Sequence, residues 1–469
     1  MPKKKVSNEN SARLFGTDGV RGLANVSPMS VDKVIRLGQA IGLYFRAHYD
    51  KPRIVIGKDT RRSGYMLEQA LSAGICSVGV DTYFLGPLPT PGIAYMTRGI
   101  RANAGIVISA SHNPYEDNGI KIFSADGYKL PDQVEDELEQ LVADPNLSQN
   151  LPTGKGLGTT KRIEDASGQY AVFLKEQFPK HLTLDGLRIV IDAAHGAGYK
   201  VAPKVFEELG AEVFLHGASP NGTNINDMVG ALYPEALADK VKLYKADLGI
   251  ALDGDADRLI VVDDKGHVLD GDEILAICGI HYLEHHRLQG NRLVCTVMSN
   301  MGLERALLPY GGKLIRTQVG DRYVVEAMRQ GGYNLGGEQS GHLIFHDSST
   351  TGDGILAALC LIEILLEKQK PMSELRACME RVPQVTKSFV VPAKPQLSEL
   401  PRLQAHLSQL EQELAAEGRV LFRYSGTEAK ARIMIEGPYE DRIAEMAEDI
   451  VVTAQTSIRH HVSEEATCD

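Results

Sequence analysis

The sequence predicts an α/β protein built from three related α/β units and a smaller C-terminal α+β unit. Three observations carry this. The chain has 469 residues, about three times the ~150 residues of a typical domain, which excludes a single small module. Three segments repeat one layout: a short β-branched run, a loop of Gly or small polar residues, a helical pattern, then Gly and a second short strand. They begin at Arg53 (RIVIGKDTRRSG), Leu187 (LRIVIDAAHGAG) and Arg292 (RLVCTVMSNMGL). After about Ser388 the order changes to a polar helix (Leu403 to Glu417), the strand-turn VLFRYSGTE, the strand ARIMIEG and a last helix from Asp441.

Each repeated segment reads as a βαβ unit, because continuous apolar strands alternating with amphipathic helices belong to sheets covered on both faces. The first boundary is expected in the Pro/Gly-rich stretch Asp144 to Gly158, where periodicity fails. A second is expected near Asp263 to Gly266, after the apolar strand LIVVD, and a third near Pro383 to Lys394. The expected domains are therefore 1–158, 159–263, 264–383 and 384–469.

Fifty Lys and Arg against 61 Asp and Glu leave a net charge of −11, with 43% hydrophobic residues. That composition excludes general disorder, and the acidic balance argues against a nucleic-acid or anionic-membrane binder, which needs a positive field. The six cysteines are far apart, with no CxxC or Cys/His cluster, so neither a zinc site nor a disulfide framework is predicted. Reduced thiols in a cytoplasmic protein are expected. The basic start MPKKKVSNENSARLFG lacks the apolar core of a secretory signal. The longest apolar stretch, Ile355 to Leu366, is twelve residues, short of the ~20 a membrane span needs; it reads as a buried core helix.

Four loops carry candidate chemistry. The strand GIVIS runs into ASHNPYEDNGIKIF, placing Ser109, Ser111, His112 and Asn113 at a strand end, where open α/β sheets bind ligands. Ser111 is a candidate nucleophile beside an imidazole, with Lys121 as a proton carrier or phosphate contact; the alternative is a Ser/Asn turn satisfying its own backbone. In LGIALDGDADRLIVVD, extended chain would send Asp253, Asp255 and Asp257 the same way. Three converging carboxylates repel unless a hard divalent cation holds them, and oxygen-only ligands favour Mg²⁺ or Ca²⁺ over zinc. Arg258 where an EF-hand needs Gly, and a strand instead of a helix before the loop, contradict an EF-hand; the alternative is a solvated acidic turn. In YNLGGEQSGHLIF, alternation would point Glu338, Ser340 and His342 one way, as a sugar-diol grip, or the segment is a Gly-rich turn. In VLFRYSGTEAKARIMIEG, Arg423, Ser425, Gly426, Thr427 and Arg432 suit a phosphate cradle, or an ordinary hairpin with surface arginines.

Taken together and in this order, ASHNP, DGDADR, GEQSGH and RYSGTE resemble the four signature loops of the α-D-phosphohexomutases, and FGTDGVRG (Phe15 to Gly22) resembles that family's N-terminal motif. The resemblance covers nearly the whole chain. It implies three α/β domains with mixed sheets and a smaller C-terminal α+β domain, around a central cleft to which each gives one loop. By position, it implies that Ser111 carries a phosphoryl group, and that Asp253, Asp255 and Asp257 bind Mg²⁺ with Ser111 completing the set. It further implies that Glu338 and Ser340 contact sugar hydroxyls, that Arg423, Ser425, Gly426, Thr427 and Arg432 bind the phosphate not being transferred, and that Arg21, Lys121, Arg258 and His342 supply charge or protons. Ala429 departs from the Pro that commonly follows SGTE.

The implied reaction passes a phosphoryl group from Ser111 to a hexose monophosphate. A 1,6-bisphosphate intermediate then turns end for end and returns the other phosphate. GEQSGH, LFGTDGVRG, VMSNMGLE and RTQVGDRYV most resemble the branch acting on glucosamine phosphates, in which Asp321 would suit an ammonium at C2. The expected partner is a small hexosamine phosphate, with glucosamine or glucose 1,6-bisphosphate as activator, no nucleic acid and no membrane, in a monomer or homodimer. Alternatives are a phosphomannomutase/phosphoglucomutase, a non-catalytic sugar-phosphate sensor, and an Asp-nucleophile phosphatase using DGDAD.

Overall fold

The computed structural model describes residues 13–16, 18–425 and 429–468, with side chains described as far as 463. The first unit comprises β1 (Val20–Leu23), α1 (Val31–His48), β2 (Arg53–Lys58), α2 (Arg62–Ser77), β3 (Asp81–Pro87), α3 (Thr90–Gly99), β4 (Ala104–Ile108), β5 (Asp117–Ser124), α4 (Asp132–Ala143) and β6 (Thr160–Arg162). Its sheet runs β1-β5-β4-β2-β3-β6. The centre is parallel and β5 returns antiparallel beside β4. The strands β2 and β4 are almost wholly buried, as expected of apolar runs covered on both faces.

The second unit follows with α5 (Ala166–Gln177), β7 (Arg188–Asp192), α6 (Val201–Glu208), β8 (Glu212–His216), α7 (Glu235–Tyr244), β9 (Leu248–Leu252), β10 (Leu259–Asp263) and β11 (Val268–Leu269), in the order β11-β10-β9-β7-β8. The third has α8 (Gly271–Glu284), β12 (Arg292–Thr296), α9 (Met301–Leu307), β13 (Lys313–Thr317), α10 (Asp321–Gly331), β14 (Leu335–Gly337), β15 (Leu343–Phe345), α11 (Gly354–Lys368) and α12 (Met372–Leu375), in the order β13-β12-β14-β15. The apolar run from Ile355 is the buried helix α11, begun by Asp353, whose side chain accepts from Ile355 N and Leu356 N. The fourth unit is β16 (Gln384–Val390), α13 (Pro401–Leu414), β17 (Arg419–Tyr424), β18 (Lys430–Glu436) and α14 (Glu440–Cys468), with an antiparallel sheet β16-β18-β17. All three expected βαβ crossovers are parallel pairs: β2 with β3, β7 with β8, and β12 with β13.

Three details differ from the expected partition. The first sheet takes β6 from beyond residue 158, and the second extends past residue 263 through β11. Both are short edge strands whose pairing, not apolar pattern, makes them strands. The strand β16 falls in a stretch expected only as a break; its single buried residue, Phe389, left no hydrophobic signature.

Val55, Ile191, Leu252, Leu293 and Leu361, from the first three units, belong to one continuous apolar cluster. The fourth unit has its own, around Phe389, Leu403, Ile433 and Ile450. It meets the third through polar contacts: Arg419 Nη2 donates to Ser299 O (2.6 Å), Met301 N to Glu436 Oε1 (3.3 Å) and Asn300 Nδ2 to Gln384 Oε1 (3.4 Å).

In the first unit α1 and α2 pack so closely that a Cβ on Gly74 would lie 2.1 Å from Ile35 O. Backbone cannot yield as a side chain can, so Gly74→Ala is expected to cost roughly 1–3 kcal/mol by overpacking. The urea unfolding midpoint measures it; an unchanged midpoint would contradict the helix contact.

Candidate active site

The four loops singled out in the sequence occupy one topological position. Each joins a strand to its antiparallel successor: β4 to β5, β9 to β10, β14 to β15 and β17 to β18.

Ser111 lies two residues past Ser109 on the first of these loops, buried, with φ +50°. A left-handed serine costs of order 1–3 kcal/mol and persists only where its surroundings impose it. Here they do. Ser111 N donates to Ser109 Oγ (2.9 Å), which donates to Asp59 Oδ2 (2.6 Å). Ser111 O accepts from Arg61 Nη2 (2.8 Å) and Asn226 Nδ2 (2.9 Å). Arg61 also donates to Asn113 O and Pro114 O, and pairs at 2.8 Å with Asp59; both partners are fully buried. None of Asp59, Arg61 or Asn226 was singled out from sequence. The run KDTRR at the end of an apolar strand was the available signal, since charges there must be paired if buried.

Ser111 Oγ donates to Asp253 Oδ2 at 2.6 Å, and His112 Nδ1 lies 3.3 Å from Ser111 Oγ. With its proton committed to Asp253, Oγ accepts from His112 Nδ1–H, which leaves the imidazole lone pair on Nε2. Burial, then Arg258 and Arg21, lower His112 to about 4, so the ring is neutral.

Asp253, Asp255 and Asp257 converge, but not on extended chain. The strand ends at Leu252 and residues 253–257 turn, with Ala256 N donating to Asp253 O and Ala256 at φ +57°. The turn is what brings the carboxylates within 4.8 Å of one another. Gly254 allows the approach, since a Cβ there would meet Ser111 O at 2.5 Å. Burial, reinforced by Asp257 and Asp255, holds the Asp253 carboxyl well above the usual range. Asp257 is held far below it: burial opposes the charge, but His342, Lys121 and Arg258 outweigh burial. Asp255 Oδ1 and Asp257 Oδ1 are buried with no hydrogen-bond partner among the described residues. Two orphaned anionic oxygens among three crowded carboxylates fit a hard divalent cation, which would satisfy the oxygens and remove the repulsion.

Positive groups face this cluster from three units. Lys121 Nζ lies 3.1 Å from Asp18 Oδ2, 3.6 Å from Asp255 Oδ2 and 3.8 Å from Asp257 Oδ2. Burial works against its charge, but these acids raise it, so it stays an ammonium. Arg258 Nε is 3.9 Å from Asp257 Oδ1. Arg21 pairs with Asp18 and reaches Ala110 O (3.4 Å) and Asn113 Oδ1 (3.5 Å) on the serine loop. His342 Nδ1 is 3.6 Å from Asp257 Oδ2; burial opposes its charge, but Asp257, Asp321 and Glu338 raise it to about 9. When neutral it also accepts from Gly352 N (3.1 Å), a bond given up on taking a second proton.

The third loop is a hairpin turn, not an alternating strand. Glu338 N donates to His342 O and Gly341 N to Glu338 O. Glu338 is half-buried and His342 buried, while Ser340 sits exposed at the tip, so the three do not share one direction as alternation predicts. Glu338 Oε1 accepts from Gly320 N (3.2 Å), and burial lifts its carboxyl above the usual range. Beside it, Asp321 accepts from Lys129 Nζ (2.9 Å), which also donates to Asp18 (2.6 Å). Lys129 carried no sequence signal; only the fold brings it there. On the fourth loop, Arg423 and Arg432 are register partners, a different unit from the serine cluster. Burial, then Arg432, lower Arg423 below the usual guanidinium value. Ser425 is buried; Gly426 and Thr427 lie outside the described residues.

The chain belongs to the phosphoglucomutase/phosphomannomutase family. The family's α/β/α domains I, II and III match residues 12–148, 169–266 and 270–382, and its C-terminal domain matches 386–452. Within it, the chain is similar to the phosphoglucosamine mutase of Desulfovibrio desulfuricans, 55% identical over 447 residues, covering 95% of this chain and 99% of that one. That of Bdellovibrio bacteriovorus is 54% identical, covering 94% and 98%. The fold is also that of a phosphoglucomutase/phosphomannomutase family protein from Burkholderia thailandensis (TM-score 0.80, 24% identity, covering 95% and 97%). An Aspergillus fumigatus N-acetylphosphoglucosamine mutase, solved with GlcNAc-6P and magnesium, shares it as well (TM-score 0.67, 16% identity, covering 95% and 96%).

The buried pair behind Ser111 gives a direct test. Arg61→Met strips Asp59 of its partner and three loop carbonyls of a donor, and is expected to cost roughly 3–5 kcal/mol. Denaturant unfolding reads this; a loss below about 1 kcal/mol, the range of an exposed pair, would show that the loop does not depend on it.

Proposed function

We propose that this chain interconverts glucosamine 6-phosphate and glucosamine 1-phosphate through a phosphorylated Ser111 and a 1,6-bisphosphate intermediate. The observation that carries the reading is the buried serine hydroxyl 2.6 Å from Asp253, at the meeting point of three carboxylates and the cations of three units. The named relatives, 54% and 55% identical over most of the chain, support the glucosamine specificity.

Phosphorylated Ser111 gives its phosphoryl group to the free hydroxyl of the hexosamine monophosphate. The P–Oγ bond breaks, a new P–O bond to the sugar forms, and the hydroxyl proton passes to a neighbouring base, for which the neutral His112 imidazole is at hand, while His342, kept protonated, adds positive charge. Asp253, Asp255, Asp257 and the Ser111 oxygen would hold Mg²⁺, which when bound supplies positive charge against the group being transferred. Lys121, Arg21 and Arg258 add fixed positive charge. Glu338 and Ser340 grip sugar hydroxyls in either orientation, Asp321 faces the ammonium at C2, and Arg423, Ser425, Gly426, Thr427 and Arg432 take the distal phosphate. The bisphosphate turns between two transfers, so one chemical site serves both positions. No described helix is long and apolar enough to cross a membrane. The free state of the five described cysteines is in keeping with a cytoplasmic enzyme.

Purified protein with Mg²⁺, a trace of sugar bisphosphate and each hexose phosphate in turn tests the substrate. Turnover is expected to favour glucosamine 6-phosphate; a preference for mannose 1-phosphate or glucose 1-phosphate sinks the assignment. Ser111→Ala is expected to lower kcat by at least ~10³ and to remove one phosphoryl group from the intact mass. Chelation should abolish turnover and Mg²⁺ restore it.

A further inference from the structure

Away from the cleft, at the far end of α11, a second group of potential ligands comes together. His281 and His285 stand one helical turn apart at the C-terminal end of α8, and Glu367 lies in the last turn of α11. A ring nitrogen of each histidine and a carboxylate oxygen of Glu367 all lie within 4.8 Å of one another. Fourteen residues separate Glu367 from Asp353, the residue that caps α11 beneath the aspartate loop, so the two places are about 20 Å apart along the helix.

We propose that His281, His285 and Glu367 form a binding site for a borderline divalent cation of the Zn²⁺ class, tying the C-terminal turns of α8 and α11 together. Two imidazoles and one carboxylate are a zinc-type donor set, unlike the all-oxygen set in the cleft. His281 Nε2 is 3.4 Å from Glu367 Oε2. With metal–ligand bonds of about 2.0–2.1 Å, tetrahedral ligands sit about 3.4 Å apart, so this edge of the polyhedron has its spacing already. His285 Nδ1 lies 2.8 Å from His281 O. It can only donate to a carbonyl, which fixes the tautomer and leaves the lone pair on Nε2, as a backbone carbonyl commonly does for a ligating histidine.

His281 is buried, and its Nδ1 has no hydrogen-bond partner among the described residues. Burial, then His285, lower it to about 4, keeping it a neutral ligand. The nearby cations are engaged elsewhere: Lys368 pairs with Glu284 (2.5 Å) and Arg287 with Glu363 (3.4 Å). The C-terminal ends of α8 and α11 meet here, and the helix dipoles favour positive charge at such ends. Three protein ligands leave a fourth position for water.

The test uses the full-length, tag-free protein stripped of metal and titrated with Zn²⁺ by calorimetry in excess Mg²⁺, with Co²⁺ absorption as a report on coordination. One equivalent of Zn²⁺ is expected to bind and raise the thermal midpoint. Its affinity should fall at least about tenfold in His285→Ala and in Glu367→Gln, and survive in Asp255→Asn. His285 and Glu367 are exposed, so these two variants keep the fold even where His281→Ala does not. No Zn²⁺ equivalent above the Mg²⁺ background, one unchanged in both exposed variants, or one lost in Asp255→Asn would overturn the site. Catalytic turnover does not enter the readout, so this outcome is separate from that of the proposed reaction.

Discussion

Three buried carboxylates at one point are the constraint around which the first three units are arranged. Asp253, Asp255 and Asp257 cannot share a dry site without compensation. The compensation comes from residues far apart in the chain: Lys121 in the first unit, Arg258 in the second and His342 in the third. The backbone converges on the same loop. Thr90 N and Oγ1 donate to Asp255, Gly354 N donates to Ala256 O, and Ser111 Oγ to Asp253. A shared apolar cluster beneath makes this convergence rigid. The site is thus an interface, and its charges are balanced only when the three units are docked.

One topology repeated four times explains how such an interface is supplied. Each of the first three sheets has a parallel centre and then an antiparallel return, and the loop at that reversal carries the polar residues. A hairpin reversal is tight, so it can hold strained residues such as Ser111 and Ala256 in left-handed conformations that a long crossover would relax. The fourth unit repeats the hairpin but not the docking: its core is its own, and Arg419, Glu436 and the Asn300–Gln384 bond join it to the third unit by polar contacts. Polar interfaces of this kind yield to relative domain motion more readily than apolar ones, which suits the proposed turning of a bisphosphate.

The two places where ligating side chains gather differ in how they could be read from sequence. Asp253, Asp255 and Asp257 are nearly contiguous, so their convergence is local and visible. His281 and His285 are local too, but Glu367 is 82 residues further on, so only the fold completes that set. Lys129, joined to Asp18 and Asp321 from two units, is invisible for the same reason.

By itself the sequence determined the α/β class, the three βαβ crossovers, the buried helix from Ile355 and the loops bearing Ser111, the aspartates and Glu338, because periodicity and residue type are local properties. Tertiary structure decided the rest. It made the aspartate segment a turn where alternation suggested extended chain, exposed Ser340 while burying His342, added the edge strands β6, β11 and β16, and placed Arg61 and Asn226 behind Ser111. Each of these depends on what a residue meets across the fold, and a carboxylate or an edge strand acquires its meaning only from the group that packs or pairs against it.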